Sequence, residues 1–240
     1  LRVTADESWV RDPARVFPIR VDPTLTIITD GDIFVDNDDN GPPHNGDNLP
    51  VGTFNGGGYK ARLFLRFRDF SAVVGARITS AKLHLYHTWS YDCNHHLPVT
   101  IRQVTSSWDV ATLKTLPASQ YPGPTLGSTV GTLTIANNYP ACQNTNADRT
   151  VGAWRTATLS TDLFNAWSAG TTPNRGLALT ASESDSYAWK RFTSAAVSSG
   201  QYAPKLELTW TPNVAPQVNG MYPSAGYAAG TLTPELVVEA

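Results

Sequence analysis

Apolar and polar residues alternate with a period of two along most of this chain, and helical spacing is nearly absent. In "ARLFLRF", Leu63, Leu65 and Phe67 fall on one face, with Arg62, Phe64 and Arg66 on the other. In "SAKLHLYHT", Ala81, Leu83 and Leu85 oppose Lys82, His84 and Tyr86. Successive strand side chains point to opposite faces, so these segments predict half-buried strands. "PVTIRQV", "STVGTLTIA", "WRTATL", "RGLALTAS", "AWKRFTS" and "PKLELTW" extend the set, and turn clusters such as "FNGGG", "YPGP" and "TTPNRG" separate them. Short strands with one apolar face each must bury it against a second sheet. The predicted class is therefore all-β, an antiparallel β-sandwich or jelly roll.

One segment breaks the alternation. In "STDLFNAWSAG" Leu163 and Trp167 stand at i and i+4, Ser160 or Thr161 can cap the first turn, and Gly170 can end it. This predicts a short helix over the open end of the sandwich, with Trp167 plugging the core. Residues 1–24 read as a tail or edge segment carrying "VFPIRV", and residues 25–211 as the sandwich. Residues 212–240, rich in Pro, Gly and Ala, read as a linker into the opening strand of an immunoglobulin-like module.

Composition adds compartment more than chemistry. Charged residues make up 16% of the 240, below the usual ~25%, and the formal net charge is −2. Such a chain has no strong field to recruit nucleic acid or anionic lipid, and no stretch approaches the ~18 apolar residues of a membrane span. The abrupt start at "LRVTADESWV" reads as an excised or processed fragment. Cys93 and Cys142 are the whole thiol content, and both lie in polar loops rather than apolar runs. That setting favours a disulfide, and so a secreted or cell-surface protein, over two buried thiols.

"WSYDCNHHLPV" concentrates the candidate chemistry. A free Cys93 with His95, His96 and Cys142 would make a zinc set, but the usual ligand spacings are absent, and a disulfide would remove the thiolates. No G-x-S-x-G nucleophile elbow occurs, and Glu183 with Asp185 is a carboxylate pair of the kind any acidic loop offers. The run "TDGDIFVDNDDN" is richer in oxygen donors: Asp30, Asp32, Asp36, Asp38 and Asp39 at two-residue spacing suit structural calcium, against the bland alternative of a solvated turn.

The order "DPARVFPIRVDPT", "DGDIFVDN", "LPVGTFNGG", "ARLFLRFRDFSAVVGARITSAKLHLYHTWSYDC", "VTSSWDVATL" and "GLALTASESDSYAWKRFTSAA" resembles the DNRLRE domain of secreted or wall-associated bacterial YD-repeat-type proteins. The resemblance covers about residues 10–210 and implies a jelly roll without catalysis, some relatives being carbohydrate-binding modules. Phe67-Arg68-Asp69, where Phe-Asp is usual, and the long "DNDDNGPPHNGDN" insertion depart from the pattern. Aromatic faces and cationic groups suit sugar rings and carboxylated sugars, which nominates Trp89, Tyr91, Tyr187, Trp189, Lys190 and Arg191. The expectation is thus a non-enzymatic, polysaccharide-binding module with no nucleic-acid partner. A structural spacer beside a YD-repeat shell is the alternative, and a polysaccharide-active enzyme the distant one.

Overall fold

The structure is a computed structural model that describes residues 2–3, 23–38, 47–92, 94–115, 121–135, 151–211 and 236–237. The all-β class holds: thirteen strands and two short α-helices are described, and every strand pairing is antiparallel. β1 (Arg2–Val3) pairs only with β13 (Leu236–Val237), as a separate two-stranded sheet. The compact unit Pro23–Thr211 holds the rest. Its first strands are β2 (Thr24–Ile28), β3 (Gly31–Asp36), β4 (Asn48–Phe54), β5 (Tyr59–Arg66) and β6 (Arg77–Ser90). β7 (Val99–Val104), helix α1 (Val110–Thr115), β8 (Leu126–Leu133), β9 (Ala153–Leu159) and helix α2 (Asp162–Ser168) follow. β10 (Leu177–Thr180), β11 (Lys190–Thr193) and β12 (Lys205–Thr211) complete it.

Following the pairings from β4 through β5, β10, β7, β8, β9, β6 and β11 leads back to β4, so eight strands form a closed circuit. β12 and β2 extend it beyond β6, and β3 adds to β5. Closure leaves few bare strand edges, a device that keeps β-rich proteins from pairing with one another. Strand β6 is the hub. Ala81, Leu83 and Leu85 point into the core, while Lys82 crosses to Glu207 at 2.9 Å and Tyr86 meets Trp154 at 5.4 Å. These are cross-strand neighbours in register with β12 and β9, the geometry in which side-chain pairs stabilise a sheet.

Alternation located the faces of β5 correctly but did not foretell their burial. Leu63, Leu65 and Phe67 join the main core; Phe64, on the opposite face, is equally buried. It anchors a second cluster with Ile33, Val35, Val104, Leu113 and Ala178, against which Trp108 packs. β3 and α1 supply that cover, and neither carries a clean apolar alternation. β4 lacks a strand signature as well, since "NLPVGTF" holds Pro50 and Gly52, which usually mark a bulge or close approach within a strand. Gly52 has φ +100°, and a Cβ there would stand 2.8 Å from the Ala188 carbonyl oxygen, so glycine is required.

Helix α2 forms where the sequence places it. Thr161 occupies the N-cap without a side-chain hydrogen bond; the Ser160 hydroxyl instead accepts from the Asp162 N–H at 3.3 Å. Trp167 is buried with its ring edge-on to Phe70 and Phe164, and Gly170 takes φ +68° after the last turn. The Asn165 side chain accepts from the Ile78 N–H and donates to the Ile78 carbonyl, fastening the helix to the start of β6.

Candidate functional site

The far end of β6 builds the aromatic surface. Opposite Trp89 in the ladder lies Arg191 of β11, and opposite Ser90 lies Lys190. Directly opposed strand residues share a face, so the Arg191 guanidinium lies over the Trp89 ring, 4.8 Å from its centroid. Past the end of β6 the Tyr91 N–H donates to the Trp189 carbonyl at 3.0 Å, which carries Tyr91 alongside the approach to β11. Trp89 and Tyr91 are in edge contact at 6.3 Å, Tyr91 and Tyr187 lie tilted to one another at 6.2 Å, and Tyr187 and His95 stack in parallel at 4.0 Å.

Each exposed ring stands on a pinned backbone. Tyr187 sits in the 3-10 turn Ser186–Ala188, whose N-cap Asp185 accepts from the Tyr187 N–H at 3.0 Å. The Lys190 Nζ donates to the Tyr187 carbonyl at 2.8 Å. On the other side, Asp92 Oδ1 accepts from the Asn94 and His95 N–H groups and from the His95 ring Nδ1, all at 2.7 Å. A carboxylate can only accept, so His95 carries its proton on Nδ1 in this arrangement. The hydrogen bond from His95 leads the effects that hold the Asp92 carboxyl below its ordinary value. Tyr91 and Tyr187 remain 54% and 40% exposed despite this anchoring.

The nominated residues divide. Trp89, Tyr91, Tyr187 and Arg191 are brought together at the surface. Trp189 is 3% exposed and packs edge-on to Phe54 and Tyr59, as part of the interior rather than a platform. Lys190 is 1% exposed, so its ammonium serves as an internal strut. Burial pushes its pKa down to about 8 against the opposing pull of Asp92 and Asp185. Beneath the surface, fully buried His87 lies within 2.9 Å of the Trp89 carbonyl through Nε2. Desolvation, then the charges of Arg155 and Lys190, push its pKa down to about 3 against that hydrogen bond, so it is neutral.

The sequence offered His95 only as a member of a zinc set and gave Asp92 no role. The signal available was the Asp-x-x-His spacing, in which an aspartate caps the backbone three residues on. Glu183 and Asp185 do not form a pair for acid–base work: Glu183 Oε1 accepts from Arg62 Nε at 2.7 Å, whereas Asp185 caps the Tyr187 turn. The carboxylates nominated for calcium diverge. Asp30 meets Arg66 and Arg68, Asp32 accepts from Ser194 and the Ala195 N–H, and Asp36 accepts from the Tyr59 hydroxyl at 2.6 Å. Asp38 donates its N–H to Asp36 at 3.1 Å. Asp39 lies outside the described residues, as do Cys93, Cys142 and the "VFPIRV" segment. Among the described residues no group of three or more His, Cys, Asp or Glu side chains is placed to hold a metal ion, and no helix is long and apolar enough to cross a membrane.

No family model matches the chain. Among curated proteins it is 26% identical, over 224 residues, to the tRNA nuclease WapA of Bacillus subtilis. The tRNA(Glu)-specific nuclease WapA of Bacillus subtilis subsp. natto matches equally, and the tRNA3(Ser)-specific nuclease WapA of Bacillus spizizenii is 25% identical. Each alignment covers 88% of this chain and 8% of the relative, so the chain spans about 8% of the length of the proteins it matches. Three expectations are overturned by this comparison: a carbohydrate-binding module, a non-enzyme, and a partner set without nucleic acid. The relatives matching nearly the whole chain are named for acting on tRNA.

Proposed function

We propose that this chain is a β-sandwich segment of a large protein that cleaves tRNA. The observation that carries the reading is an alignment over 224 residues, 88% of the chain, to proteins named as tRNA nucleases. The nuclease activity attaches to the complete protein, since most of each relative's length lies beyond the matched stretch. The surface of the sandwich is compatible with that setting. Aromatic rings on which bases stack, with an arginine beside them, are the groups proteins use to hold unpaired nucleotides.

The test is cleavage of end-labelled tRNA by the complete parent protein, with the 240-residue chain run in parallel. Discrete tRNA fragments from the complete protein, absent when it is omitted, are the expected result. Intact tRNA at every protein concentration and metal condition tried would overturn the reading.

A further inference from the structure

We infer that the surface formed by Arg191, Trp89, Tyr91, Tyr187 and His95 binds unpaired RNA nucleotides, bases stacking on the tyrosine and histidine rings. This deepens the proposed function and rests on it for the choice of RNA. The rings are arranged for contact and not for the core: Tyr91 and Tyr187 are among the exposed large hydrophobic side chains, yet their backbones are tied to β11 and its preceding turn. Ordering an exposed aromatic costs side-chain entropy that no burial returns, unless a ligand later covers it.

The neighbouring formal charges nearly balance, Arg191 and Lys190 standing against Asp92 and Asp185. Asp92 and Asp185 each cap backbone N–H groups of their own loops. Arg191 stands at the other end of the row of rings, over Trp89. A strand laid along the row would meet ring faces at Tyr187 and Tyr91 and a guanidinium at Arg191. Attraction then comes mainly from stacking, with one or two phosphate contacts.

The experiment uses the full 240-residue chain and fluorescein-labelled single-stranded RNA decamers, uridine-rich and adenine-rich, followed by anisotropy. Tyr91→Ala and Tyr187→Ala should each weaken binding about 5- to 150-fold, the equivalent of about 1–3 kcal/mol per stacked base. Arg191→Lys should reduce the salt dependence little, and wild-type affinity should fall with log salt at a slope near −1, given about −0.7 per phosphate on single strands. Thermal melts establish that each variant is folded. Trp154→Ala tests a second exposed aromatic, over whose ring Lys205 Nζ lies at 4.7 Å, and should leave binding unchanged.

Three outcomes overturn the inference: no RNA binding by the folded chain, equal binding by wild type and both tyrosine variants, or a loss that follows Trp154 instead. Should the complete protein still cleave tRNA in any of these cases, the proposed function stands and this surface is excluded as its RNA contact. Binding that tracks Tyr91 and Tyr187, in a parent protein that cleaves no tRNA, would support the surface and overturn the proposed function.

Discussion

Acidification should destabilise this sandwich well above the range in which carboxylates titrate, and His87 should be the cause. The residue is fully buried on β6 behind the aromatic surface, its Nε2–H directed at the Trp89 carbonyl and also 2.9 Å from Ser90 Oγ. Its Nδ1 has no hydrogen-bond partner among the described residues. A second proton would thus be placed in a desolvated site facing Arg155 and Lys190. With a folded pKa of about 3 against 6.5 in the unfolded chain, the unfolded state binds more protons between those values. Stability present at pH 7 is therefore lost as pH falls below about 6.5, and the loss continues to about 3. Linkage gives roughly 2 kcal/mol lost at pH 5, a drop in melting temperature of about 4–8 °C for a domain of this size. Calorimetry or urea titration of the wild type and His87→Gln at pH 7, 6 and 5 measures it. Glutamine keeps an N–H donor without a titrating ring, so its profile should be nearly flat over this range. A wild-type profile as flat as that of the variant, or a His87→Gln profile as steep as the wild type, would refute the reasoning.

On the alkaline side Lys190 should act in the same direction, stability rising with pH. Its folded pKa of about 8 lies below the ordinary lysine value of 10.5, so the wild type should gain up to about 1.5 kcal/mol from pH 8 to 9.5, and Lys190→Met should lack the gain in the same urea titration. Trp167→Ala should cost about 3–5 kcal/mol by opening a cavity between Phe70 and Phe164, read as a lowered urea midpoint with an intact far-ultraviolet β spectrum. Gly176→Ala should cost about 2–3 kcal/mol or more by the same measurement, because φ is +80° there and the added Cβ would lie 2.2 Å from the Leu65 carbonyl oxygen.

Several strands were written in the sequence because their cause is local. Alternation in "SAKLHLYHT" sets one face of β6 apart from the other, and "STDLFNAWSAG" departs from it with the i, i+4 spacing and closing glycine of a helix. Strands β2, β3 and β4 were not legible in this way; β3 and β4 carry an aspartate pair, a proline and a glycine whose tolerance depends on what lies opposite them. Gly52 makes sense only once Ala188 is known to approach it.

The candidate surface divides along the same line. The sequence alone identified Trp89, Tyr91, Tyr187 and Arg191 as groups able to hold a ligand, and by itself it determined an all-β chain with a short helix. The tertiary structure decided which neighbouring residues share that surface. Trp189 and Lys190 turn inward because Phe54, Tyr59 and the Tyr187 carbonyl meet them there, whereas His95 joins the surface through Asp92. Periodicity fixes which way a side chain points within its own strand. What it points at depends on pairing between segments some hundred residues apart, as with Trp89 and Arg191, and only the folded chain supplies that.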